Sequence, residues 1–234
     1  MFPIYIHEYK ITIWWSAKCG CTTIKELVFN KLKKLNIVNQ SDLHKNTYTK
    51  FDPQYLNYKN ILVVRNPLKR FISSYKDIFN DYCQMYKINK NLTFSEFVEL
   101  IYESIKKDNF TSNSRINVSF NHHLINQFLE SYTNLNKYCK ENNINFYFDE
   151  IIKLEEFNSI DCMKKYFHII LEQDIIKNKA LKNNNTTFVY NNKIYKEINE
   201  INPDYQYYLN ENIIKKIKEI YLNDYEEFKK YNII

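Results

Sequence analysis

Residues 11–25 read ITIWWSAKCGCTTIK, and this stretch sets the architecture. Ile11 to Trp15 is a short, apolar, β-rich run, the pattern of a buried strand. Ser16 to Thr23 is a loop of small residues. From Thr22 to about Leu35, residues Ile24, Leu27, Val28, Leu32 and Leu35 recur on one helical face. A strand, a tight loop and a helix therefore follow one another. Backbone N–H groups and the helix dipole converge at such a junction and make an anion site. The loop holds Gly20, the sole glycine of a 234-residue chain. At ordinary usage of about 7%, a chain this long would hold roughly 16. Glycine is needed where backbone takes left-handed torsions or approaches another group closely. Lys18 adds a positive charge, and Thr22 and Thr23 add hydroxyl donors. Cys19 and Cys21 complete the candidate anion loop with Gly20.

Working outward, residues 60–77 read NILVVRNPLKRFISSYKD. Asn60 to Val64 is a second apolar strand, and Pro67 suits the first turn of the next helix, expected from Leu68 to Tyr82. Arg65 leaves the carboxyl end of this strand, where ligands bind in open α/β sheets. Ser73 follows on the helix. An arginine fork and a hydroxyl at this spacing suit a phosphate group.

The remaining chain continues the alternation. Thr93 and Glu96 form a capping box ahead of Phe94, Phe97, Val98, Ile101 and Ile105. His122 to Cys139 is expected to be mostly helical, and residues 144–154 to hold one or two strands. Asn158 to Phe167 reads as a short helix, and Lys177 to Lys193 as an Asn-rich loop or lid. Asn212 to Tyr231 reads as one amphipathic helix. The expected fold is α/β, a P-loop-like three-layer arrangement with a central parallel sheet flanked by helices. No repeat or linker divides it, so residues 1–234 are expected to form a single domain.

Bulk properties narrow the function. The chain is 44% hydrophobic and 17% aromatic, enough for a sizeable core. Its net charge of +6 suits an anionic ligand but falls short of the basic surface of a dedicated nucleic-acid binder, and no nucleic-acid partner is expected. The five cysteines have irregular spacing and no CxxC pair, so no metal site is expected and all five read as reduced thiols. The opening segment lacks the basic and apolar regions of a signal peptide, and no run is long enough to span a membrane. A soluble, cytoplasmic protein is the expectation.

Three functions remain open on the residues alone. A nucleoside-triphosphate loop reads GxxxxGK[ST], with Lys directly before the hydroxyl residue. Here Lys18 precedes the glycine and lies four residues before Thr22, which argues against the first candidate, a P-loop nucleotide kinase. The second is a non-catalytic nucleotide-binding module. The third is a transferase using a donor phosphorylated at two ends.

The chain resembles the sulfotransferase superfamily, in particular the Golgi-type carbohydrate group that includes the chondroitin and dermatan enzymes. That group's Lys-x-x-x-Thr loop is matched by Lys18 and Thr22, and its Arg-x-Pro-x-x-Arg-x-x-Ser motif by Arg65, Pro67, Arg70 and Ser73. NHHLINQ resembles its His-Trp-x-Pro-Gln stretch through His123 and Gln127, with Leu124 and Asn126 replacing Trp and Pro. FDEIIKLEEF resembles its Asp-x-x-x-x-Lys-x-Glu strand through Asp149, Glu155 and, one register looser, Lys153. The closing Tyr-x-x-Asp-x-x-x-Phe helix is matched by Tyr221, Asp224 and Phe228. The resemblance implies transfer of a sulfuryl group from 3′-phosphoadenosine-5′-phosphosulfate, without a metal, to a small-molecule or glycan acceptor. Lys18 and the loop would stabilise the leaving phosphate, while Arg65 and Ser73 would hold the 3′-phosphate. The acceptor's base would be His123, with His122 as the second choice and Glu155 serving instead or orienting the histidine.

Overall fold

The computed structural model describes residues 2–20, 24, 51–82, 84, 88–107, 124, 127, 129–157, 159–168 and 204–233. Four strands form one sheet in the order β1 (Phe2–Ile6), β2 (Ile11–Trp15), β3 (Lys59–Val64), β4 (Glu150–Lys153). Strands β2, β3 and β4 run parallel, with Ile13 opposite Ile61 and Val63 opposite Ile152. The fold is therefore α/β with a mostly parallel sheet, as the alternation of strands and helices implies. β1 departs from the expectation: it pairs antiparallel with β2, placing Ile4 opposite Ile13. It carries Pro3, which a strand tolerates at a sheet edge. Among the described residues the helices are α1 (Pro67–Asp77), α2 (Phe94–Lys107), α3 (Leu129–Glu141), α4 (Ser159–Phe167), α5 (Glu211–Ile220) and α6 (Leu222–Lys230). None of them is long and apolar enough to cross a membrane.

The chain forms two compact units, each from two stretches: Met1–Asn66 with Gln127–Lys179, and Pro67–Asn126 with Ala180–Ile234. In the first, every residue of β2 is buried, as are Asn60 to Val64 of β3. Such continuous burial is the mark of a parallel strand covered on both faces. Ile13, Ile61 and Val63 share one face with Tyr166 and Phe167 of α4. Trp14 lies on the other face, with its ring against Phe146 and Phe148 and its Nε1–H donating to Asn60 Oδ1 at 2.8 Å. Alternation along β2 thus feeds two cores. Glu150 of β4 pairs with Lys165 of α4 and with Lys59. Burial alone would raise its carboxyl, but hydrogen bonds from Lys165 and Tyr166 and the nearby lysine charges outweigh that and lower it.

The second unit is helical and aromatic. Phe71 and Tyr75 of α1 and Phe94 and Phe97 of α2 are fully buried together with Ile217 and Tyr221. The capping box is formed as expected: Glu96 N–H donates to Thr93 Oγ1 at 3.2 Å, and Thr93 N–H donates to Glu96 Oε2 at 2.8 Å. Two helices differ from expectation. α1 ends at Asp77 and continues as a wider turn over Ile78–Tyr82. The closing helix divides at Tyr221, whose φ of −106° and ψ of 28° leave the helical region while its ring stays buried. Burying that ring outweighs the apolar periodicity that predicts one continuous helix. Residues 144–154 contribute one strand, β4, and within the predicted His122–Cys139 helix the described residues give a helical Leu124 and α3 from Leu129.

Candidate donor site

The three parallel strands end side by side, and each delivers one part of the site. β2 runs into Ser16, β3 into Arg65, and β4 into the turn Leu154–Glu156. This is the end of an open α/β sheet at which ligands bind.

The loop after β2 begins as a tight turn, with Cys19 N–H donating to Ser16 O at 3.1 Å. Lys18 is the third residue of that turn and takes φ 64°. A type II turn requires this sign at that position and normally places Gly or Asn there. Holding a lysine in the left-handed region costs about 1–2 kcal/mol. The turn places Lys18 at its apex. Gly20 follows at φ 78°, and its own carbonyl accepts from Ile24 N–H at 2.9 Å. A Cβ on Gly20 would stand 2.3 Å from Leu154 Cδ1. The lone glycine is thus fixed by torsion and by close packing on the end of β4.

Arg65 joins the loop to the neighbouring strands. Its Nη1–H donates to Lys18 O at 3.0 Å, and its Nε lies 4.0 Å from Glu155 Oε1. The same carboxylate oxygen accepts from Asn66 N–H at 3.1 Å. Lys18, Arg65 and Glu155, predicted from three separate motifs, therefore meet within one compact unit. Asp149 and Lys153 of the third motif do other work. Asp149 pairs with the backbone of Asn60, and Lys153 pairs with Glu156 at 3.3 Å.

Cys19 is fully buried, and its side chain turns inward. Its Sγ accepts from Ser16 Oγ at 3.0 Å and donates to Gln127 Oε1 at 2.8 Å. The candidate residue Ser73 lies half-buried on α1, in the second unit. Cys21, Thr22, Thr23, His122 and His123 lie outside the described residues. Gln127 joins the site although sequence reasoning gave it no role. Its only signal was its place at the end of the NHHLINQ stretch.

A mostly parallel sheet with a lysine-bearing loop at its carboxyl end defines an α/β protein of the phosphate-loop class. Within that class the chain matches the sulfotransferase family model over residues 4–232, and it belongs to the sulfotransferase family. Comparison with curated proteins and with solved structures gives no significant match.

Proposed function

We propose that this chain transfers a sulfuryl group from 3′-phosphoadenosine-5′-phosphosulfate to a hydroxyl of a carbohydrate acceptor. The observation that carries the reading is the hydrogen bond from Arg65 to the Lys18 carbonyl, which ties together the two segments proposed to bind anions. Family membership supports sulfuryl transfer in general, and the resemblance to the Golgi-type group supports the donor and the carbohydrate class.

In this reading Lys18 and the loop N–H groups, with Thr22 and Thr23, face the 5′-phosphosulfate. The acceptor oxygen attacks sulfur in line. The bond from sulfur to the bridging phosphate oxygen breaks, and charge on that oxygen is stabilised by Lys18. The acceptor proton passes to His123, with His122 and Glu155 as the other bases the motifs provide. Adenosine 3′,5′-bisphosphate leaves. Arg65 grips its 3′-phosphate, with Ser73 as the second donor that the motif implies. Cys19, Gly20 and Cys21 shape the loop. The Cys19 thiol donates a hydrogen bond and so must stay reduced, which fits a cytoplasm-like compartment.

Isothermal titration with adenosine 3′,5′-bisphosphate tests the donor. Saturable binding is expected, and no heat at high micromolar ligand would refute it. Transfer of labelled sulfate to a panel of glycans, phenols and peptides tests the acceptor, and glycans should be labelled best. His123→Ala should keep titration heats and lose transfer; full transfer would exclude His123 as the base.

A further inference from the structure

We infer that Gln127 is a positioning residue that holds the Lys18 loop and Arg65 in register for the donor. This rests on the donor-binding reading above. The Gln127 side chain is almost wholly buried. Among the described residues its carboxamide makes three hydrogen bonds of 2.8 Å: Oε1 accepts from Arg65 N–H and from Cys19 Sγ, and Nε2–H donates to Arg65 O.

The chemistry fixes the direction of every bond. A backbone N–H only donates and a backbone carbonyl only accepts. The amide oxygen must therefore face Arg65 N and the amide nitrogen must face Arg65 O. Both lone pairs of Oε1 are then used, and the Cys19 thiol has to be the donor. That leaves the Cys19 sulfur to accept from Ser16 Oγ. The chain Ser16 to Cys19 to Gln127 runs one way, with Gln127 as its terminal acceptor.

Arg65 sits just beyond β3, where the strand's own ladder has stopped: the last β3–β4 pair is Val64 with Lys153. Gln127 supplies both halves of the missing bridge with one side chain, and its oxygen reaches on to the loop. Two segments far apart in the chain, at Cys19 and at Arg65, are thereby tied at one buried atom. The Arg65 side chain reaches the same loop from outside, through Lys18 O. A change at Gln127 should loosen the aim of both cations together.

The test is titration of adenosine 3′,5′-bisphosphate into wild type, Gln127→Met, Arg65→Ala and the double variant, with thermal unfolding of each. Methionine keeps the size and apolar reach but makes none of the three bonds. Gln127→Met is expected to weaken affinity about tenfold. Arg65→Ala should cost less when combined with Gln127→Met than in wild type, because its aim is already lost. A purely structural role would lower the melting temperature and leave the affinity of folded protein unmoved. Unchanged affinity, or two effects that simply multiply, would overturn the inference while the donor reading stood. A wild type that does not bind would overturn both. If the Gln127 variants do not fold, Cys19→Ser and Cys19→Ala decide. Serine keeps a donor toward Gln127 and should retain more affinity than alanine, which should bind several-fold more weakly than serine. Equal affinity for these two would also overturn the inference.

Discussion

Arg65 and Arg70 stand five residues apart in the run RNPLKR and meet opposite fates. The Arg65 side chain is 26% exposed at a strand end, facing a loop carbonyl and a carboxylate. Arg70, one turn into α1, is 0% exposed. Its guanidinium lies 5.5 Å from the centre of the Tyr221 ring, inside the aromatic core of the second unit. Pro67 separates the two, ending the strand's approach and starting the helix. A buried guanidinium is costly unless its surroundings match it. The same unit holds a second fully buried charge of opposite sign, Asp224, three residues after Tyr221. Two motifs that the sequence places far apart along the chain thus meet in one core. One arginine of the motif stays at the strand end as the candidate ligand contact, and the other is enclosed against Tyr221.

The largest expected effect is at the buried arginine. Arg70→Ala removes a fully enclosed side chain and its contact with Tyr221, and takes one positive charge from the unit that also buries Asp224. A loss of about 3–5 kcal/mol is expected, read as a fall of roughly 10 °C in melting temperature. Affinity of the folded protein for adenosine 3′,5′-bisphosphate should stay within about twofold. Arg65→Ala should do the reverse. Loss of charge-assisted hydrogen bonds should weaken that affinity by about 10- to 150-fold, with a small change in melting temperature. If the two variants exchanged signatures, the division of labour between the arginines would be wrong.

The comparison also shows how far the residues alone could lead. The strands at Ile11 and Asn60, the loop between strand and helix, and the capping box at Thr93 were legible because each depends on local pattern. Lys18, Arg65 and Glu155 were legible as candidates because charged residues at strand ends have few structural uses. Their mutual contacts were not, since these follow from the sheet order. The burial of Arg70 was not legible either, because it is decided by what packs on α1 from far along the chain. Gln127 was the least legible. An amide gives no chemical signal until its partners are known, and both Arg65 and Cys19 are remote from it in sequence. The break at Tyr221 was hidden for the related reason that a helical apolar pattern does not record where one ring must turn inward.

A smaller effect is expected at the loop itself. Gly20→Ala puts a Cβ at positive φ and against Leu154. The side chain of Leu154 is flexible at its end, so part of the clash relaxes. A cost of about 1–2 kcal/mol is expected from denaturant unfolding. Adding Leu154→Ala should recover the clash and leave the torsional cost. The pair of variants therefore separates the two reasons for the lone glycine. If the double variant were as destabilised as the sum of the singles, packing on β4 would not be one of those reasons.

The smallest effect belongs to the helix start at Thr93, and it sharpens the contrast by perturbing the Arg70 unit gently. Thr93→Ala removes the hydroxyl's two bonds, from Glu96 N–H and to the Glu96 carboxylate, and should cost about 0.5–1 kcal/mol. Glu96 adds a pH dependence. The Thr93 N–H, and then the Thr93 hydroxyl, hold its carboxyl below the ordinary value of 4.5. A carboxyl lowered on folding stabilises the protein above its unfolded value and loses that contribution as pH falls through the folded one. The stability gap between wild type and Glu96→Gln should therefore be largest near neutrality and close as pH drops below 4.5. Denaturant midpoints at a series of pH values measure this. A gap that stayed constant as the pH fell well below that value would show that the carboxylate charge adds nothing to the cap. Adenosine 3′,5′-bisphosphate affinity at neutral pH should match wild type in both variants, because a weakened helix start in the Arg70 unit leaves the Arg65 contacts intact. A parallel loss of affinity would mean that the donor site depends on the helical core as closely as on its own strands.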